Sequence, residues 1–168
     1  AETVIKRLVK LGEAAVAPLM ESARSLEKPR IRKWSLQALG SIGDPRAADL
    51  LVKALDDERM TVRLHALKGL GQMRYTPAAK RIARLLKDKS GGIRVNALYA
   101  LTELGDASVL PSIRKALADE QWYVRQTACE ACGRFGDKQA ERTLRRLASK
   151  DERKAVREAA REACARIG

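Results

Sequence analysis

The residues that could do chemistry in this chain are few, and most of them are cations. Cys129 and Cys132 stand two residues apart, the spacing of redox dithiols and of one half of a zinc site. Cys164 lies about one period further on, but no fourth ligand is evident, and a tetrahedral zinc site needs four. His65 is the single histidine, which leaves no histidine cluster for a metal. No nucleophile has a base beside it, no glycine-rich loop could cradle a phosphate, and no carboxylate pair marks an obvious pocket. The chemistry that recurs is positive charge. Lys53, Arg84, Lys115 and Arg146 follow one another at intervals of 31 residues, and Lys80, Lys87 and Arg142 fall on the same helical faces. Groups of this kind suit the carboxylates of an acidic segment or the phosphates of a nucleic-acid backbone.

Seven cations share a face only if the elements that carry them repeat, and the sequence does repeat. A β-branched residue followed by arginine occurs at Ile31-Arg32, Val62-Arg63, Ile93-Arg94, Val124-Arg125 and Val156-Arg157, in three steps of 31 residues and one of 32. Self-similarity at such a period marks a solenoid, propeller or array, and helical periodicity in both halves selects an α-solenoid. Residues 93–119 show the unit. Ile93, Ala97, Leu98, Ala100, Leu101 and Leu104 form one helical stripe, and Val109, Leu110, Ile113, Ala116 and Leu117 form a second. Gly105 stops the first helix, and Asp106 can accept from the free amides that open the second.

Taken in order, the chain reads as repeats at about 1–29, 30–59, 60–90, 91–120 and 121–151, with a final helix at 153–168 and about eleven helices in all. Leu36, Leu39, Leu67, Leu70, Leu98, Leu101, Leu104 and Phe135 are the expected core. Turn glycines recur at Gly43, Gly105, Gly136 and Gly168, with Arg74 as the exception. Ser90-Gly91-Gly92 reads as a flexible linker. Cys129, Cys132 and Cys164 occupy apolar positions of the repeat, so they are expected to be buried, metal-free thiols in a reducing compartment. Arg161 stands where internal repeats have leucine or cysteine. Either the last helix is a polar cap, or the sequence is one piece of a longer solenoid.

The Val/Ile-Arg pair, the Ala38-Leu39-Gly40 run and the turns Gly43-Asp44, Gly105-Asp106 and Gly136-Asp137 together resemble the HEAT family. They are more closely similar to its short HEAT-like branch found in phycobilisome lyases. Asp57, Asp88, Asp119 and Asp151, each six residues before an arginine, match as well. The resemblance spans essentially the whole chain. It implies a right-handed α-α superhelix of about five helical hairpins plus a terminal helix. It also implies an inter-repeat ladder joining Arg32, Arg63, Arg94, Arg125 and Arg157 to aspartates, with second helices lining a concave surface. On function it is almost silent. HEAT-like iron hydroxylases use His-Glu pairs, and here Ala66 follows His65. HEAT-like DNA glycosylases use aromatic residues on the inner surface, and here Trp34 and Trp122 lie on or before first helices. A bilin lyase-like subunit is implied by analogy alone.

Charge is the feature that rises above background. The chain carries 34 basic and 21 acidic residues, net +13. Residues 1–59 are near balance at +2, whereas residues 60–168 carry +11. No run approaches the ~18 apolar residues that span a bilayer, and no leader peptide is evident before the helical charge alternation of the first residues. The expected function is a non-catalytic scaffold, monomeric and cytoplasmic, with no cofactor and no metal. It would bind an acidic segment of a partner protein on a concave basic surface made by Lys53, Lys80, Arg84, Lys87, Lys115, Arg142 and Arg146. Nucleic-acid phosphate binding is the alternative.

Overall fold

A helix closed by a left-handed glycine and reopened by an aspartate is the local event from which the architecture is built. In the computed structural model, which describes residues 2–25 and 28–168, Gly43, Gly105 and Gly136 adopt φ of 77°, 71° and 62°. Their neighbours Asp44, Asp106 and Asp137 accept from the amides of Arg46, Ser108 and Gln139 at 2.9, 2.9 and 3.2 Å. The chain therefore leaves one helix and starts the next within a few residues, through a short 3-10 turn. The one turn without glycine obtains the same geometry at a cost. Arg74 takes φ 50°, the only non-glycine residue with positive φ among those described.

Eleven α-helices and no strand are found among the described residues. They are α1 (Glu2–Leu11), α2 (Glu13–Arg24), α3 (Pro29–Ile42), α4 (Ala48–Ala54), α5 (Met60–Gln72), α6 (Ala79–Arg84), α7 (Gly91–Leu104), α8 (Leu110–Ala116), α9 (Trp122–Phe135), α10 (Glu141–Lys150) and α11 (Lys154–Ile167). The connection Leu26-Glu27 lies outside the described residues, as does the side chain of Pro29. The chain divides into two compact units, one up to Arg81 and one from Ile82 onward.

In the first unit α3 packs against α1, α2 and α5, and α4 packs against α5. In the second, α9 packs against α7, α8 and α11, and α10 packs against α11. Within each unit first helices thus stack on first helices, and α2, α4, α8 and α10 each lean on the first helix that follows. Leu36, Leu39, Leu67 and Leu70 in one unit, and Leu98 and Leu101 in the other, are fully buried, as the periodicity predicts, and Leu104 is nearly so. Phe135 departs from that expectation and is half-buried. It is the last residue of α9, where a ring larger than the equivalent Leu104 is not fully covered.

Close approach of the first helices depends on small residues. A Cβ on Gly40 would lie 2.3 Å from the Gly69 Cα, and a Cβ on Gly133 would lie 2.8 Å from the Ala163 Cα. α3 and α5, and likewise α9 and α11, touch backbone to backbone at these points. Ser90-Gly91-Gly92 is not a linker. Ser90 is the N-cap of α7 and both glycines lie in its first turn, with the Tyr123 hydroxyl so close to Gly91 that a Cβ there would meet it at 2.3 Å.

The arginine ladder is present, with a pairing that the six-residue spacing alone does not reveal. The aspartate six residues before each arginine offers its backbone carbonyl: Arg63, Arg94, Arg125 and Arg157 donate to the carbonyls of Asp57, Asp88, Asp119 and Asp151 at 2.7–2.9 Å. The carboxylate partner is the aspartate at the end of the arginine's own repeat, 25 or 26 residues on. Arg32 pairs with Asp57, Arg94 with Asp119 at 2.7 and 2.8 Å, and Arg125 with Asp151 at 2.8 and 3.0 Å. The same carboxylates accept from the amides of Arg59, Gln121 and Arg153, so each one ties the first helix of its own repeat to the residue that opens the next first helix. Burial alone would raise the Asp151 carboxyl. The bonds from the Arg125 side chain and the Arg153 amide, with the charges of Arg125 and Arg157, outweigh that and hold it below the usual carboxylate range.

Candidate functional site

The second helices are short, with two faces spoken for. α4 buries Ala48, Leu51 and Ala54, and α8 buries Ile113 and Ala116. What remains for solvent is a stripe at i, i+4 and i+7. On α4 and the turn after it, the exposed stripe is Asp49, Lys53 and Asp56. On α6 and the 3-10 turn Leu85–Lys87, it is Lys80, Arg84 and Lys87. On α8 it is Pro111, Lys115 and Ala118, and on α10 it is Arg142, Arg146 and Ser149. All seven cations singled out from the sequence are exposed, each on the stripe of its own helix.

From α6 onward the stripes hold six cations and no carboxylate. Among the described residues none of these six side chains, nor that of Lys53, takes part in a hydrogen bond or ion pair. The neighbouring cations do find partners: Arg145 pairs with Glu141 at 2.6 Å, and Arg114 with the buried carboxylate of Asp137 at 2.9 Å. Lys53 sits differently from the rest. It lines a polar groove of about 420 Å³ with Arg32, Asp56, Asp57, Glu58 and Arg59, so carboxylates flank it. Asp56 is itself paired with Arg81.

A smaller groove of about 170 Å³ opens between the 3-10 turn after α6 and helix α8. Lys87 and Lys115 line it together with Ala83, Leu86, Ser112, Ala116 and Asp119. The structure thus brings two of the predicted cations to one concavity. Leu86 and Ser112 were not singled out by the sequence reading, although a signal was there. Repeats two and four read Ala54-Leu55 and Ala116-Leu117 at this place, and repeat three reads Leu85-Leu86. Leu55 and Leu117 are buried, while Leu86 stays half-exposed.

The remaining reactive side chains are inside. Cys129 and Cys132 are fully buried, and burial pushes both thiols up to about 12, with Cys132 adding to the shift of Cys129 and Asp137 to that of Cys132. Cys164, on α11, is only half-buried, contrary to the expectation for all three, whereas Ala160 and Ala163 of the same helix are buried. No group of three or more metal-ligating side chains that could hold an ion is found among the described residues. His65 is more enclosed than a surface histidine. Burial, with the charges of Lys33 and Lys68, pushes its imidazole down to about 4, and Trp34 lies 6.2 Å away. No described helix is long and apolar enough to cross a membrane.

The family model for HEAT repeats matches residues 1–63, 54–126 and 110–168. The chain belongs to the HEAT repeat family. No curated protein matches it. Among solved structures, this HEAT repeat chain is similar to a designed armadillo repeat protein in complex with the peptide (KR)4, at 19% identity and a TM-score of 0.76, over 98% of this chain and 85% of that one. It is also similar to a chain of the CpcE–CpcF phycocyanin lyase complex from Nostoc sp. PCC7120, at 20% identity and a TM-score of 0.67, over 95% and 69%. Human deoxyhypusine hydroxylase is similar at 21% identity and a TM-score of 0.55, over 95% and 76%. At these identities the likeness is one of fold, an all-helical repeat solenoid.

Proposed function

We propose that this HEAT repeat chain is a non-catalytic scaffold that receives an acidic segment of a partner protein on the face formed by Lys53, Lys80, Arg84, Lys87, Lys115, Arg142 and Arg146. One observation carries the reading: the exposed stripes of α6, α8 and α10 hold six cations and no carboxylate, and these cations have no partner among the described residues. Ordinary helix surfaces intersperse both signs. Like charges left unpaired on successive helices repel and bring no folding benefit, which points to a ligand of opposite charge. A repeat array suits such a ligand, because it presents a long surface on a preformed backbone. The designed armadillo protein of similar fold was solved with a basic peptide, and a face of cations calls for an acidic one. In the HEAT-like architecture this face would be the concave one. The free thiols favour a reducing, cytoplasmic setting.

Phosphate-backbone binding is the second reading, favoured by the +11 carried by residues 60–168. The stripes offer no aromatic ring on which an unpaired base could stack, so a duplex would be the ligand. The two readings separate on salt dependence with duplex DNA. If four of these groups each met a phosphate, log K would fall against log salt with a slope of about −3.6. The acidic-segment reading expects no co-purified nucleic acid and no salt-dependent affinity for the duplex, the first read from the ultraviolet absorbance ratio before and after a high-salt wash. Nucleic acid that co-purifies and leaves in that wash would overturn it in favour of the phosphate reading.

A further inference from the structure

We infer that the groove between the 3-10 turn Leu85–Lys87 and helix α8 takes one apolar side chain of the acidic segment, with carboxylates on either side of it held by Lys87 and Lys115. This rests on the acidic-segment reading above and adds a specificity to it. The groove, about 170 Å³, lies wholly within the second unit, and its lining is half apolar in character: Ala83, Leu86 and Ala116. A cavity of ~150 Å³ lined by aliphatic residues is enough to hold a benzene ring. The groove is therefore large enough for a leucine or phenylalanine side chain and too small for a drug-sized ligand, whose pockets start at ~300 Å³.

Charge selects the occupant. Lys87 and Lys115 are exposed and have no partner among the described residues. The carboxylate of Asp119, which also lines the groove, is already engaged. Its oxygens accept from the Arg94 guanidinium at 2.7 and 2.8 Å and from the Gln121 amide at 2.9 Å. That pairing removes the repulsion an incoming carboxylate would otherwise meet. The Ser112 hydroxyl, also in the lining, has no partner among the described residues and can donate to a carboxylate.

The floor is a departure from the repeat. Leu55 and Leu117 at the equivalent position are buried at 0% and 1% exposure, whereas Leu86 remains half-exposed. Its neighbour Leu85 stands where repeats two and four have the small Ala54 and Ala116, and the helix ends there in a tighter 3-10 turn. An aliphatic surface framed by two unpaired ammonium groups fits an apolar residue set among acidic ones. A uniformly acidic stretch would leave this surface facing water.

The test uses the full chain and two fluorescein-labelled heptapeptides of alternating aspartate and glutamate, one with leucine and one with serine at the centre. Fluorescence anisotropy should give the leucine peptide about tenfold higher affinity, as expected for burying most of one aliphatic side chain. Ser112→Leu, which fills the groove from its rim, should bring the ratio close to one while leaving the serine peptide bound as before. Leu86→Ala should lower the ratio in the same direction, and circular dichroism checks that both variants remain helical. Equal affinity of the wild type for the two peptides, or a tenfold ratio that survives both substitutions, would overturn the groove assignment while the acidic-segment reading stands. Failure of the wild type to bind either peptide would overturn both.

Discussion

His65 gives a stability change that can be worked out from its surroundings. It lies on α5 at 9% exposure, with the Trp34 ring 6.2 Å away and Lys33 and Lys68 close enough to add to its shift. Its Nδ1 is buried without a hydrogen-bond partner. Burial first, and then the two lysines, lower its pKa from 6.5 to about 4. The unfolded chain therefore binds a proton near pH 6.5 that the folded chain refuses until about pH 4. Stability falls as pH drops through that window and is fully retained above it. Integrating the linkage gives a loss of about 2 kcal/mol between pH 7.5 and pH 5, above the range where most carboxylates titrate. Urea unfolding followed by Trp34 fluorescence, in a Trp122→Phe background, measures it at pH 7.5, 6.5, 5.5 and 5. The His65→Gln chain should be nearly flat over the same range. Wild type and variant falling in parallel would refute the reasoning, since the slope would then come from other groups.

Three further outcomes follow from the packing. Arg74→Gly should raise stability by about 0.5–1 kcal/mol in thermal or urea unfolding, because glycine adopts the left-handed turn that arginine occupies under strain. Gly40→Ala should lower it by about 1–3 kcal/mol, since the new Cβ meets the backbone of Gly69 and α3 and α5 must move apart. In thiol titration with a disulfide reagent at pH 8, Cys164 should react first, and Cys129 and Cys132 only on unfolding, because burial holds both near 12.

Much of the fold could be read from the chain because its determinants are local. Gly43, Gly105 and Gly136 stop helices, and Asp44, Asp106 and Asp137 start the next elements, each within a few residues. Even the missing glycine was legible as an anomaly at Arg74. What escaped depends on the distance between helices. Gly91 looks like a linker until Tyr123 is seen lying over it, and the role of Gly40 appears only when Gly69 lies against it. The carboxylate partners of Arg32, Arg94 and Arg125 stand at the far end of the same repeat, 25 or 26 residues on, and no short spacing encodes that. The seven cations could be assigned to exposed stripes from the 31-residue period. The groove at Leu86 was marked only by the Leu85-Leu86 pair, because its shape depends on how the turn Leu85–Lys87 lies against α8.

The acidic-segment claim is tested most directly by the affinity of the charge-mirrored octapeptide (DE)4 for two chains, the wild type and the variant carrying Lys53→Glu, Arg84→Glu, Lys115→Glu and Arg146→Glu. All four side chains are exposed and unpaired, so the variant should keep its helical signal and its melting temperature, or gain slightly in the latter. Anisotropy at low salt should show saturable binding to the wild type that weakens as salt rises, and none to the variant. Equal binding to both chains would contradict the assignment of the face, and no binding to the wild type would contradict the function.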